Sequence, residues 1–402
     1  MKYIVIVPDG MADRPLDELG GKTPLEAART TNMDSLVSRS MTGLIQTIPE
    51  GMPPGSDIGN MALLGYDPKA AHTGRAPLEA VNQGINLADD EIAIRCNLVT
   101  INDGKMTDYS AGHISTKEAT ELIESLAKEI DLPNVKFYPG KSYRHTIVMK
   151  VLDVQKYLDI KTIPPHDILN QNIADYLPPE NPESVMLLKL MEKSKDILKN
   201  HPINKVRIDL GENPADMIWL WGQGSRPQLI PFRDKFNVNG ALISAVDLVN
   251  GIGRLAGLEI IDVPGATGYY DTDYLAKAQY ALNALKTHDF VYVHVEAPDE
   301  AGHNGDADEK IKAIERIDQD IIGTMLNYFD ANDDVRILIS PDHPTPIELR
   351  THTSDPVCFL MYGKGIDPTG VDTFSEKVAE EVGVKFNSGE EMINHFMNKF
   401  IS

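Results

Sequence analysis

Short apolar runs rich in Val and Ile punctuate the first and last parts of the chain, at residues 3–7, 259–263, 290–295, 335–340 and 357–362. Runs without polar alternation predict strands of a parallel sheet covered on both faces. Over residues 308–329 the period changes. Ile311, Ile314, Ile317, Ile321, Met325 and Phe329 paint one face of a helix. Strands alternating with helices predict an α/β fold.

The middle of the chain is denser in Pro and polar turns, such as Ile163-Pro-Pro-His166 and Leu177-Pro-Pro-Glu180. A capping box, Ser115-Thr-Lys-Glu118, opens a helix with Ala119, Leu122, Leu126 and Ile130 on one face. A single core stops growing at roughly 250–300 residues, so 402 residues imply two domains. The residues that can carry chemistry fall before about residue 60 and after about residue 290. The chain must therefore leave a first domain and return. We expect residues 1–70 and 236–402 to form a metal-binding catalytic domain, with a smaller substrate-binding domain, 71–235, inserted.

The formal charge of −22 argues against nucleic acid or an anionic membrane surface as partner. No apolar run approaches the ~20 residues that cross a bilayer. The start, MKYIVIVPDG, reads as a first strand ending at Asp9, not as a leader segment. Cys96 and Cys358 stand in apolar surroundings and read as buried reduced thiols of a cytoplasmic protein. An oligomer is compatible with all of this.

Ligands of open parallel sheets gather at the carboxyl ends of strands. Asp9 ends the first run, Asp299 and His303 follow the run at 290–295, and Asp342 and His343 follow that at 335–340. His352 comes nine residues after His343. If the chain turns helical after Pro298, Asp299 and His303 share a face. Carboxylates mixed with imidazoles suit Mn, Zn or Fe better than Mg. Ser56, in Pro53-Pro-Gly-Ser56-Asp-Ile-Gly59-Asn, precedes an apolar helical run. It can serve there as an N-cap, or as a nucleophile beside the positive helix end.

In the middle segment, Arg75, Arg95, Arg144 and Arg226 are candidates for phosphate and carboxylate recognition, because the planar guanidinium binds such oxyanions bidentately. His113 and His145 are their neighbours. Two motifs are decoys. Gly251-Ile-Gly253-Arg-Leu-Ala-Gly257 follows a helical pattern, and its third Gly comes one residue late for a dinucleotide site. Gly20-Gly-Lys-Thr23 has Leu16 where a P-loop needs Gly.

Four segments taken together resemble the cofactor-independent phosphoglycerate mutases, in their shorter archaeal-type branch of the alkaline phosphatase superfamily. They are Val7-Pro-Asp9-Gly10, Pro54-Gly-Ser56-Asp57, Ala297-Pro-Asp299-Glu-Ala-Gly-His303 and Pro341-Asp342-His343-Pro-Thr-Pro346. The likeness runs over essentially the whole chain and takes in Thr73-Gly-Arg75-Ala-Pro-Leu-Glu79 and Val263-Pro-Gly-Ala-Thr-Gly268. It implies an alkaline-phosphatase-like sheet with helices on both faces and an inserted smaller α/β domain. It implies that Asp9, Ser56, Asp342 and His343 hold one divalent metal, and that Asp299, His303 and His352 hold a second. Mn is favoured over Mg, Zn or Co. The implied reaction interconverts 3- and 2-phosphoglycerate through a phosphoserine at Ser56, without 2,3-bisphosphoglycerate. A homoserine kinase-like transferase and a metal-dependent phosphatase are the rival activities of such a core. Gly-Ser-Asp-Ile-Gly-Asn stands where the longer bacterial enzymes have Asn-Ser-Glu-Val-Gly-His, which sets Asp57 and Asn60 apart.

Overall fold

A computed structural model describes residues 1–329 and 334–397. The chain divides into two compact units. One combines Met1–His72 with Gln228–Ser402, and the other is the continuous stretch Thr73–Pro227. Residues 228–235 go with the first unit because Phe232 is buried there, its ring centroid 4.4 Å from that of Phe290.

The first unit is built on an eight-stranded sheet. Its order is Lys385–Phe386, Ser40–Ile45, Val357–Gly363, Val335–Ile339, Lys2–Pro8, Phe290–Val295, Gly240–Ile243, Glu259–Ile260. Lys2–Pro8 lies at the centre, parallel to both neighbours, with Tyr3 opposite Phe290 on one side and Arg336 on the other. Ile4, Val5, Ile6 and Val7 are wholly buried, as an unalternating run requires.

Three details depart from the sequence expectation. Val357–Gly363 runs antiparallel to both its neighbours, so the sheet is mostly, not wholly, parallel. The run at 259–263 yields only the two-residue edge strand Glu259–Ile260. The helix expected over 308–329 is interrupted by a π segment, Ile317–Ile322, between Ala307–Arg316 and Gly323–Tyr328. Ile314, Ile317, Ile321 and Met325 still face the core.

The second unit carries a five-stranded antiparallel sheet. Glu91–Asn102 pairs with Arg144–Lys150 on one side and with Met217–Ser225 on the other, and its far end pairs with Lys105–Asp108; Val135–Lys141 lies beyond Arg144–Lys150. Ile92, Ile94, Cys96 and Leu98 face a core closed by the helices Thr116–Ile130 and Val185–Asn200. Ser115 caps the first of these in a complete capping box. On the opposite face, Ala93 and Val148 meet Ala76 and Ala80 of the helix Arg75–Asn82.

Glu376 lines a cavity of about 830 Å³ in the first unit. It accepts hydrogen bonds from Thr23 Oγ1 at 2.7 Å and Asp13 N at 3.3 Å. Burial nevertheless pushes its carboxyl up to about 7. Between pH 4.5 and 7 the folded carboxyl therefore keeps a proton that the unfolded chain releases, and stability falls as pH rises through this window. The loss is on the order of 2 kcal/mol, allowing for partial contact with water. Glu376→Gln should lack it. Urea unfolding at pH 5 and pH 8 should show the variant gaining on the parent at the higher pH, and an equal difference at both would refute this.

Candidate active site

The carboxyl ends of the central strands gather the polar residues. Asp9 follows Lys2–Pro8 directly and is fully buried. Phe290–Val295 leads into the helix Ala297–Asn304, which carries Asp299 and His303 one turn apart, 3.3 Å between Oδ2 and Nε2. Val335–Ile339 delivers Asp342 and His343, both wholly buried. His352 returns to the same place, its Nε2 3.4 Å from Asp299 Oδ1 and 2.9 Å from His303 Nε2.

His343 stands between two groups. Its Nε2 is 3.5 Å from both Asp9 Oδ1 and Asp342 Oδ2, and its ring lies 4.1 Å from that of His352. The likeness assigned it to the Asp9 group alone, whereas here it faces the Asp299 group as well. Donor atoms of Asp9, Asp342 and His343 lie within 4.8 Å of one another, and so do those of Asp299, His343 and His352.

Ser56 is the first residue of the helix Ser56–Leu63, and Gly55 occupies the N-cap. Ser56 is thus not a cap. Its hydroxyl faces Asp9 Oδ2 at 3.5 Å and His343 Nε2 at 3.3 Å. The helix sits directly on the Asp342 backbone, because a Cβ at Gly59 would come within 2.4 Å of the Asp342 carbonyl oxygen. Asn60 Nδ2 donates to Asp342 Oδ2 at 2.8 Å, and its Oδ1 accepts from Tyr292 OH at 2.6 Å. Asp57 pairs with His72 Nε2 at 2.9 Å.

Electrostatics say what this cage would hold. Burial and the charges of Asp342, Asp299 and Glu296 hold the Asp9 carboxyl well above its usual range. Burial pushes Asp299 the same way, but hydrogen bonds from His303 and His352 outweigh it and hold Asp299 well below. Among the described residues, the buried Asp9 Oδ1 has no hydrogen-bond partner. Orphaned, mutually repelling carboxylate oxygens with imidazoles between them fit divalent cations.

A second layer fixes the ligands. Thr345 Oγ1 donates to Asp299 Oδ1 and lies 3.3 Å from His343 Nδ1. Gly10 leaves room for this contact, since a Cβ there would meet both oxygens at 2.6 Å. Lys310 Nζ, wholly buried, donates to the Thr345 carbonyl at 2.9 Å and to Asp13 Oδ2 at 2.7 Å. Sequence reasoning missed Thr345, Lys310, Asp13 and Tyr292, because only the tertiary fold makes them neighbours.

In the second unit, Arg75, Arg95 and Arg144 lie close enough for their charges to interact. Arg95 pairs with Glu79 at 2.9 Å and stacks 3.9 Å over the Trp221 ring, and burial lowers its pKa to about 10. Arg75 Nε is buried and has no hydrogen-bond partner among the described residues. Arg144 lies over Tyr143, whose ring is also 6.5 Å from that of His113. Two candidates stand apart. His145 is opposite Cys96 on the core face, because neighbours on a strand point to opposite sides; it is buried and its pKa is pushed down to about 3. Arg226 follows Ser225, which pairs with Ile92, whereas Arg144 pairs with Asn97, so the two are separated by roughly 17 Å of strand.

Known proteins resemble this chain in sequence and in fold. Residues 38–204 match the family model of 2,3-bisphosphoglycerate-independent phosphoglycerate mutase. An enzyme of that name from Methanosarcina acetivorans is 51% identical over 379 residues, 94% of each chain. One from Methanothrix thermoacetophila is 48% identical over 394 residues, 98% of each chain. Among solved structures, a Pyrococcus horikoshii protein superposes with a TM-score of 0.83 at 30% identity, covering 100% of this chain and 98% of its own. A cofactor-independent phosphoglycerate mutase from Thermoplasma acidophilum gives 0.66 at 27% identity, with 99% of each chain covered. With relatives this similar along nearly its whole length, the chain belongs to the 2,3-bisphosphoglycerate-independent phosphoglycerate mutases.

Proposed function

We propose that this chain interconverts 3-phosphoglycerate and 2-phosphoglycerate through a phosphoserine at Ser56, in a site that holds two divalent cations. The observation that carries the reading is the Ser56 hydroxyl, turned toward Asp9 and His343 at the positive end of its helix. Asp9, Asp342 and His343, with Ser56, would hold one cation; Asp299, His303 and His352 would hold the other. Such ions favour the alkoxide and neutralise charge on a transferring phosphoryl group.

Ser56 Oγ attacks phosphorus, the ester bond to glycerate breaks, and the hydroxyl proton ends on the departing glycerate oxygen. The other glycerate hydroxyl then takes the phosphoryl group from Ser56 and returns a proton to it. The free N–H groups of the first helical turn suit an attached phosphate. Arg75, Arg95, Arg144 and His113 supply recognition of the substrate's phosphate and carboxylate. No helix among the described residues is long and apolar enough to cross a membrane, and the reading puts the enzyme in the cytoplasm.

The test is conversion of 3- to 2-phosphoglycerate with Mn²⁺ and no added 2,3-bisphosphoglycerate. Chelation should stop it, and Mn²⁺ should restore it better than Ca²⁺, because hard oxygen-seeking ions disfavour imidazole. ATP-dependent phosphorylation of homoserine, or hydrolysis alone, without mutase turnover would replace this reading.

A further inference from the structure

In the second unit, three residues in a row hold left-handed backbone: Ala111 at φ 48°, Gly112 at 67° and His113 at 50°. An alanine and a histidine are strained there, because Cβ crowds the backbone carbonyl. Packing accounts for Ala111 and for Ile114, which are buried, but not for His113 between them, which is exposed.

Asp108 keeps the turn in this shape. Its Oδ1 accepts from Ser110 N at 2.7 Å and from Ser110 Oγ at 2.6 Å. Its Oδ2 accepts from Gly112 N at 2.7 Å and from Asn213 Nδ2 at 2.9 Å. Ser110 Oγ in turn accepts from His113 N at 3.1 Å. The buried Arg207 closes the turn, its Nη2 donating to the Ala111 carbonyl at 2.8 Å. Burial works against the Asp108 carboxylate, yet the hydrogen bonds from Ser110, Asn213 and Gly112 outweigh it and hold its pKa below the usual range. Backbone strain that a network over-determines in this way collects where a side chain must be aimed. The side chain aimed here is His113, its ring 6.5 Å from that of Tyr143, over which Arg144 also lies at 5.5 Å.

We infer that Asp108 is a positioning residue: through Ser110 and Gly112 it holds the His113 imidazole beside Tyr143 and Arg144, ready for the substrate. Asp108 acts through that ring and needs no contact with substrate itself. The inference rests on the mutase reading, with His113 part of substrate recognition, and the experiment separates the two claims.

Mutase kinetics are measured on the full chain with Mn²⁺. Asp108→Asn keeps the shape of the side chain but sets an amide donor against one pair of the donors it now accepts from. It should raise KM for 3-phosphoglycerate roughly 10–100-fold with a much smaller change in kcat, and His113→Ala should raise KM at least as far. Added to His113→Ala, Asp108→Asn should change kcat/KM by less than about 2-fold, because the ring it positions is gone. A merely structural role would multiply the two losses instead. Multiplied losses, or either single variant with the parent's KM, overturn the inference and leave the mutase reading standing. A parent without mutase turnover overturns that reading and this inference with it. Should Asp108→Asn fail to fold, Ser110→Ala, which removes the hydroxyl between Asp108 and His113 N, decides by the same cycle.

Discussion

Ser56→Ala is expected to abolish mutase turnover, by roughly 10³-fold or more, while leaving the fold untouched. The hydroxyl makes no cap, because Gly55 holds that position, and its near neighbours are Asp9 and His343. Ala is also the better helix former, so the change in stability should stay within about 0.5 kcal/mol. A covalent route needs this oxygen, since the phosphoryl group must rest somewhere while glycerate changes hydroxyls. A direct shift within the substrate would not. Quenching the parent with labelled 3-phosphoglycerate and mapping the peptides should place label on Ser56. A variant that folds, binds metal and keeps a large share of the parent rate would sink the scheme.

Lys310→Met should give the largest loss of stability, about 3–5 kcal/mol, the usual effect of breaking a buried ion pair from one side. Both partners are wholly shielded, and the Asp13 carboxylate would keep only backbone donors, Arg14 N at 2.8 Å and Ile347 N at 3.2 Å. The loss reaches the site as well. Lys310 ties the Thr345 carbonyl, and Thr345 in turn holds Asp299 and touches His343. Mn²⁺ affinity should therefore fall together with the urea midpoint. Adding Asp13→Asn, which removes the orphaned charge but keeps an acceptor, should recover part of the stability. A single variant within 1 kcal/mol of the parent, on the scale of an exposed pair, would show that this ion pair is not buried in solution.

How much of this was legible in the sequence follows from what each pattern encodes. Apolar runs report burial on both faces, which is why the strands Lys2–Pro8, Phe290–Val295 and Val335–Ile339 stood out. They do not report direction, so the antiparallel course of Val357–Gly363 was hidden. Strand ends report where ligands gather, and the seven cage residues do meet at one place. Adjacent residues in a strand part company, and recognising 144–150 as one would have separated His145 from Arg144. Asn60 offered a weak signal, four residues after Ser56 on the same helix. Lys310 and Asp13 offered none, since a lone Lys on an amphipathic helix reads as its wet face.

The central strand is made well before either of its partners. Lys2–Pro8 is flanked by Phe290–Val295 and Val335–Ile339. At about 5–20 residues per second, the ribosome needs roughly 15–60 s to reach its first partner. Meanwhile Thr73–Pro227, a continuous stretch, can close its own sheet without waiting. The nascent chain thus exposes Ile4, Ile6 and Val7, bare and strand-forming, for most of its synthesis. Asp9, at the end of that strand, can reach its place only once both partners have been made, long after the residue itself.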